Sequence, residues 1–74
     1  DINQATNGGA TPLYEASQNG LVEVVRVLLE RGADINQATN GGVTPLTAAR
    51  YFTRTEIVRL LERAQAQQSS RKKK

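Results

Sequence analysis

The chain has no cysteine, no histidine, no tryptophan and no methionine. Without cysteine there is no disulfide framework to staple a small fold. With histidine also missing, a zinc site would have to be built from carboxylates alone, an unusual ligand set. The same two absences remove the usual nucleophile and base arrangements of hydrolases and transferases. Ser17, Ser69 and Ser70 have no recognisable activating base, and the sequence reads as a non-enzyme with no cofactor. Long apolar runs are missing too. The longest candidate, Val24 to Leu29, is broken by Arg26, so no stretch reaches membrane-spanning length. No secretory signal pattern is visible at the N-terminal end. At 74 residues the chain is short for a single unstapled core. Three routes to stability remain: very regular helix packing, self-association, or membership of a larger parent chain.

Lysine is confined to the last three positions. Arg71 and Lys72 to Lys74 supply four positive charges, while residues 1–70 hold six arginines against seven acids. The formal charge of +3 therefore belongs to the tail, and the body is nearly neutral with mixed signs. Residues 67–74 are Gln/Ser-rich and then basic, can bury almost nothing, and are expected to be disordered. A basic cluster of this kind fits a nuclear-targeting element, a contact for an acidic partner, or a solubilising end. Nucleic acid ranks low as a ligand, because no aromatic platform is interleaved with positive charge. Asn7-Gly8-Gly9 has neither the spacing nor the preceding strand of a phosphate-binding loop.

What the chain does have is a repeat. Asp1 to Leu13 reads DINQATNGGATPL and Asp34 to Leu46 reads DINQATNGGVTPL, so that the two differ only at Ala10 against Val43. The step from Asp1 to Asp34 is one period. A period of that length marks a repeat architecture, in which each unit covers its neighbour. Two units, about 1–33 and 34–66, are expected, with the folded part ending near 64 and the last helix able to run to 66.

Each unit resolves into the same elements. Asn7-Gly8-Gly9 and Asn40-Gly41-Gly42 are turn signals, since Gly and Asn tolerate positive φ. Thr11-Pro12 and Thr44-Pro45 then place a capping hydroxyl before a proline suited to the first helical position. The spacing predicts a short helix from Pro12 to Asn19, with Leu13, Ala16 and Ser17 on one face and Gly20 as its stop. A second helix is predicted over Val22 to Arg31, with a wide apolar arc and a Glu23-Arg26-Glu30 face, stopped by Gly32. Ala33 to Thr39 forms an extended lead-in. Asn3, Asp34 and Asn36 read as supports of that connector.

The stretch TPLYEASQNGLVEVVRVLLERGADIN, from Thr11 to Asn36, resembles the ankyrin repeat. The resemblance extends from Asp1 to about Ala64. It implies an all-α stack of helix-turn-helix units with short β-hairpin-like loops, used for binding other proteins. It also implies that contacts come from the hairpin tips and the concave face of each first helix. Carried over by position, these are Asn7, Gly8, Ala10, Gln18 and Asn19 in the first unit, and Asn40, Gly41, Val43, Tyr51 and Phe52 in the second. Tyr14 and Thr47 depart from the family, which usually has a loop-tying histidine there. Tyr14 and Glu15 could join the binding surface. Tyr51 and Phe52 are adjacent aromatics, suited either to anchoring a partner or to folding back over the end of the stack.

The second unit loses identity between Thr47 and Thr55, and its later positions turn polar. Leu29 becomes Glu62, Glu30 becomes Arg63 and Gly32 becomes Gln65. A terminal repeat lacks one neighbour and must be polar on that side, and Arg50, Arg54, Glu62 and Arg63 supply this. The second unit therefore reads as a C-terminal cap and the first as an internal unit with an apolar flank. The leading expectation is a protein-interaction module that ends a longer ankyrin-type array. Alternatives are a minimal or engineered two-repeat unit that self-associates through that flank, and a tail-mediated targeting or nucleic-acid role. Localisation stays open, with cytoplasm or nucleus favoured.

Overall fold

The structure, a computed structural model, describes residues 1–72, with side chains through residue 67. Four helices follow in order: α1 (Pro12–Asn19), α2 (Val22–Glu30), α3 (Pro45–Tyr51) and α4 (Thr55–Lys72). No strand occurs among the described residues. Each pair, α1 with α2 and α3 with α4, is one repeat. The pairs stack so that α1 lies on α3 and α2 on α4.

Helix starts follow the predicted chemistry. Thr11 is extended, and its Oγ1 accepts the Tyr14 N–H at 3.1 Å. Thr44 does the same one repeat later, accepting the Thr47 N–H at 3.2 Å. Each cap satisfies a donor that the first turn would otherwise leave unpaired. α1 stops at Gly20, which turns left-handed at φ 73° and donates its N–H to the carbonyls of Ala16 and Ser17. The second repeat keeps this backbone without the glycine: Thr53, at the position of Gly20, holds φ 55°. A β-branched side chain is strained in that region. α2 ends at Glu30, one residue short of the expected Arg31, which caps it instead.

The loops close in the same register. The Thr6 N–H donates to the Ala10 carbonyl at 3.0 Å, and the Thr39 N–H to the Val43 carbonyl at 2.9 Å. The hydroxyls of Thr6 and Thr39 each accept the N–H at the far side of their own turn. One loop is then tied to the other through Asn40. Its N–H donates to the Gly8 carbonyl and its Nδ2 to the Asn7 carbonyl, both at 2.9 Å. Gly9, at φ 87°, lies against this tie. A Cβ there would come within 2.6 Å of the Asn40 nitrogen. Below the loops, the Asn3 Oδ1 accepts the Asp34 N–H at 2.9 Å, and the Asp34 carboxylate accepts the Asn36 N–H.

The core runs through both repeats: Leu13, Ala16 and Val25 from the first, Ala33 and Ile35 from the connector, and Ala49, Ile57 and Leu61 from the second. Small residues at 16, 33 and 49 let the helices approach closely. Ser17 is buried among them, and its Oγ has no hydrogen-bond partner.

Two expectations need correction. The last helix does not end near Ala66, and the segment from 67 is not all outside regular structure: α4 carries the helical backbone to Lys72. Its cause is local. Nothing from Thr55 to Lys72 is Gly or Pro, and Ala, Gln and Arg are good helix formers. Lys73 and Lys74, part of the basic cluster, lie outside the described residues. Arg54 is not part of the outer polar flank. It is half-buried, and its Nε donates to the Gln18 carbonyl of the first repeat at 3.1 Å. Arg50 and Glu62 do lie on that flank, joined by an ion pair at 2.7 Å.

Candidate protein-binding site

The first helices of the two repeats lie side by side, and a groove of about 320 Å³ opens between them. Tyr14, Gln18, Val43, Thr47, Ala48, Tyr51 and Phe52 line it. The spacing of the repeat builds this surface. Tyr14 and Thr47 occupy the same position in successive repeats, as do Gln18 and Tyr51. Thr-Pro caps at both helix starts fix the two helices in the same rotation, so equivalent side chains line up across the groove.

Aromatics form one wall. The Tyr51 and Phe52 rings meet edge to face with centroids 4.9 Å apart. Both remain exposed, Tyr51 at 79% and Phe52 at 41%. Burial therefore does not account for Tyr51. Phe52 is partly covered by the Arg54 guanidinium, 5.9 Å from its ring centre. That arginine is itself held across Gly20 by its bond to Gln18, so the wall is braced from the first repeat. No charged side chain lines the groove. Its chemistry is that of a shallow apolar seat edged by two phenol hydroxyls and an amide, suited to receiving an apolar side chain.

The sequence-derived site residues separate into groups. Gln18, Val43, Tyr51 and Phe52 come together in the groove. Asn7, Gly8 and Gly41 are exposed at the hairpin tips, away from it, and Ala10 is half-buried at a hairpin base. Asn19 is exposed and folds back, its Nδ2 donating to the Glu15 carbonyl at 2.9 Å. Asn40 is exposed, but both its backbone and side-chain donors are committed to the neighbouring hairpin. Thr47 and Ala48 also line the groove, although nothing in their residue type points to binding. The signal for them is their register with Tyr14 and Glu15 of the first repeat, since a groove between repeats is lined from both sides.

Among the described residues no group of carboxylates gathers to hold a metal ion. None of the described helices is long and apolar enough to cross a membrane.

A helix-turn-helix pair that recurs once per period, with hairpins tied in register, defines a repeat scaffold. A family model described as ankyrin repeats (3 copies) matches residues 1–72, and the chain belongs to the ankyrin repeat family. A comparison with curated proteins finds no match. Members of the family serve generally as protein–protein interaction modules.

Proposed function

We propose that this chain binds a protein partner through the α1–α3 groove, with the hairpin tips as a second contact, and that its second repeat is the closing end of an ankyrin array. The observation that carries the binding reading is the exposed Tyr51–Phe52 pair over an uncharged seat. A large ring as exposed as Tyr51, with Phe52 braced beside it, is the usual kind of interface anchor, because it contributes area with few rotors to freeze. The polar outer flank, with its Arg50–Glu62 ion pair, supports the closing-end reading.

Selection from a displayed peptide library gives the test. Peptides retained by the chain should share an apolar anchor residue. Tyr51→Ala should weaken them by at least about tenfold, the size expected for an aromatic anchor. Thermal unfolding should stay unchanged, since that side chain is 79% exposed. Retained peptides whose affinity ignores both Tyr51→Ala and Phe52→Ala would remove the groove from the reading.

A further inference from the structure

The second helices of the two repeats, α2 and α4, bound a groove of their own. Two adjoining hollows, of about 420 and 550 Å³, open along it and share Arg26, Leu60 and Arg63. It has no lining residue in common with the α1–α3 groove. Its floor is apolar, with Leu29 and Leu60 half-buried and Ala33 buried. Its rims are charged, and unequally so. On α2, Arg26 meets Glu56 of α4 at 3.5 Å and Glu23 of its own helix at 4.0 Å, so its charge is answered. On α4, Arg59 and Arg63 are exposed one turn apart, and among the described residues neither makes an ion pair. Glu30 lines the same hollow as Arg63 without pairing with it. Positions four apart lie on one face of a helix. The row that holds Arg59 and Arg63 continues through Gln67 to Arg71 on the helical backbone of α4. Because residues 1–70 are nearly neutral as a whole, the two unanswered arginines are a local excess of positive charge.

We propose that the α2–α4 groove binds an acidic segment of a protein partner: a helix with two carboxylates one turn apart and an apolar side chain beside them. Two unanswered guanidiniums over an apolar floor set that chemistry. Each guanidinium presents a fork of N–H donors that fits a carboxylate with two bonds. Carboxylates four residues apart on a helix repeat about every 6 Å, the spacing at which Arg59 and Arg63 repeat along α4. Leu29 and Leu60 receive the apolar side chain. Glu30 repels an acidic ligand from the α2 rim, which puts the carboxylates over α4. A basic segment has less to meet, because Glu56 is already paired with Arg26. Nucleic acid suits the groove poorly, since no aromatic ring lines it for a base to stack on. Occupancy of this face does not depend on the Tyr51 groove.

The test pans a library of displayed helical peptides against the full chain carrying Tyr51→Ala, which removes the anchor of the other groove. Retained peptides should be enriched in aspartate or glutamate pairs four residues apart. Arg59→Gln together with Arg63→Gln should weaken a retained peptide about tenfold, the product of two exposed charge pairs near the upper end of their range. Glutamine in place of the peptide's own two carboxylates should do the same, and this arm stands whatever the double variant does to folding. Raising the ionic strength should weaken binding too, since exposed charges are screened. Arg50→Gln, which removes an arginine already paired with Glu62, should leave the affinity unchanged. No enrichment in acidic pairs, or retained acidic peptides that ignore both arginines, overturns the proposal. A random single-stranded DNA oligonucleotide that binds more tightly than the best peptide, and is lost in the same double variant, assigns the face to nucleic acid and overturns it as well. Failure of the α1–α3 groove would show only with Tyr51 intact, so the two readings fail separately.

Discussion

The two repeats share nearly the same loop and the same helix starts, yet equivalent positions live in opposite environments. Ile57 is fully buried, while Val24, its counterpart, is 45% exposed. Ser17 and Ala33 are buried, while Arg50 and Ala66, their counterparts, are exposed. Gly9 is pressed against Asn40, and Gly42 meets nothing within 4 Å. The differences follow from position in the stack: the first repeat is covered on one side and the second on the other. Sequence has responded on one side only. Leu29 and Ser17 become Glu62 and Arg50 where the second repeat loses cover, but Val24 and Val27 stay apolar where the first repeat has none. In a one-dimensional stack each interface contributes its own share of stability, so the asymmetry should be measurable residue by residue.

The sharpest form of the comparison is truncation at one position in both repeats. Ile57→Ala removes a fully buried side chain from α4, the helix that packs on both α2 and α3. The loss should be about 3 kcal/mol, from transfer and cavity together. Val24→Ala, at the equivalent place in the first repeat, should cost about 0.5 kcal/mol, since nearly half of that side chain is already in water. Urea unfolding of the two variants checks both. Equal losses would mean that the first flank is covered in solution and would break the comparison.

The helix stops allow a reciprocal exchange of intermediate size. Thr53 holds φ 55°, a conformation that glycine adopts freely. Thr53→Gly should therefore stabilise by about 1 kcal/mol, the strain of a single left-handed residue less the extra freedom glycine gains when unfolded. Gly20→Thr should destabilise by about 2 kcal/mol, since it adds the same strain. Its Cβ would also sit 3.2 Å from the Arg54 guanidinium, pushing that side chain off the Gln18 carbonyl. Thermal unfolding of the two single variants and of the double exchange would show whether Arg54 or the backbone sets the difference.

Much of this architecture was readable in the residues because it is local. Thr11 and Thr44 as caps, Pro12 and Pro45 at first positions, Gly20 as a stop and the Leu13-Ala16-Ser17 face all depend on neighbours within one turn. The hairpin tie through Asn40 and the reach of Arg54 to Gln18 each cross from one repeat to the other, and nothing local marks them. This is why Asn40 read as a binding residue and Arg54 as part of the outer flank. Thr53 stands at the position of Gly20, but that it keeps glycine's backbone was not legible, because a β-branched residue rarely takes a positive φ. Of the candidate site, the aromatic pair was readable by type. The groove beside it needed the repeats to be superposed, which brings Tyr14 and Thr47 to its edges.

A smaller effect than the loss of a core side chain tests what cover costs. Ser17 is fully buried by the second repeat, and its hydroxyl has no partner. A buried hydroxyl without a hydrogen bond loses its hydration and gains nothing in return. Ser17→Ala removes the orphan group without leaving a cavity much larger than an oxygen atom, and Ala suits a helix better than Ser. The variant should be more stable by about 1 kcal/mol. At the equivalent place Arg50 is exposed and paired with Glu62, so Arg50→Ala should lose about 0.5 kcal/mol, and less at high salt. Opposite signs for truncation to alanine at equivalent places in the two repeats would show that the interface rather than the local helix decides which residue is tolerated. A destabilising Ser17→Ala would instead mean that the hydroxyl is hydrogen-bonded in solution, and the two repeats would then differ less than their burial implies.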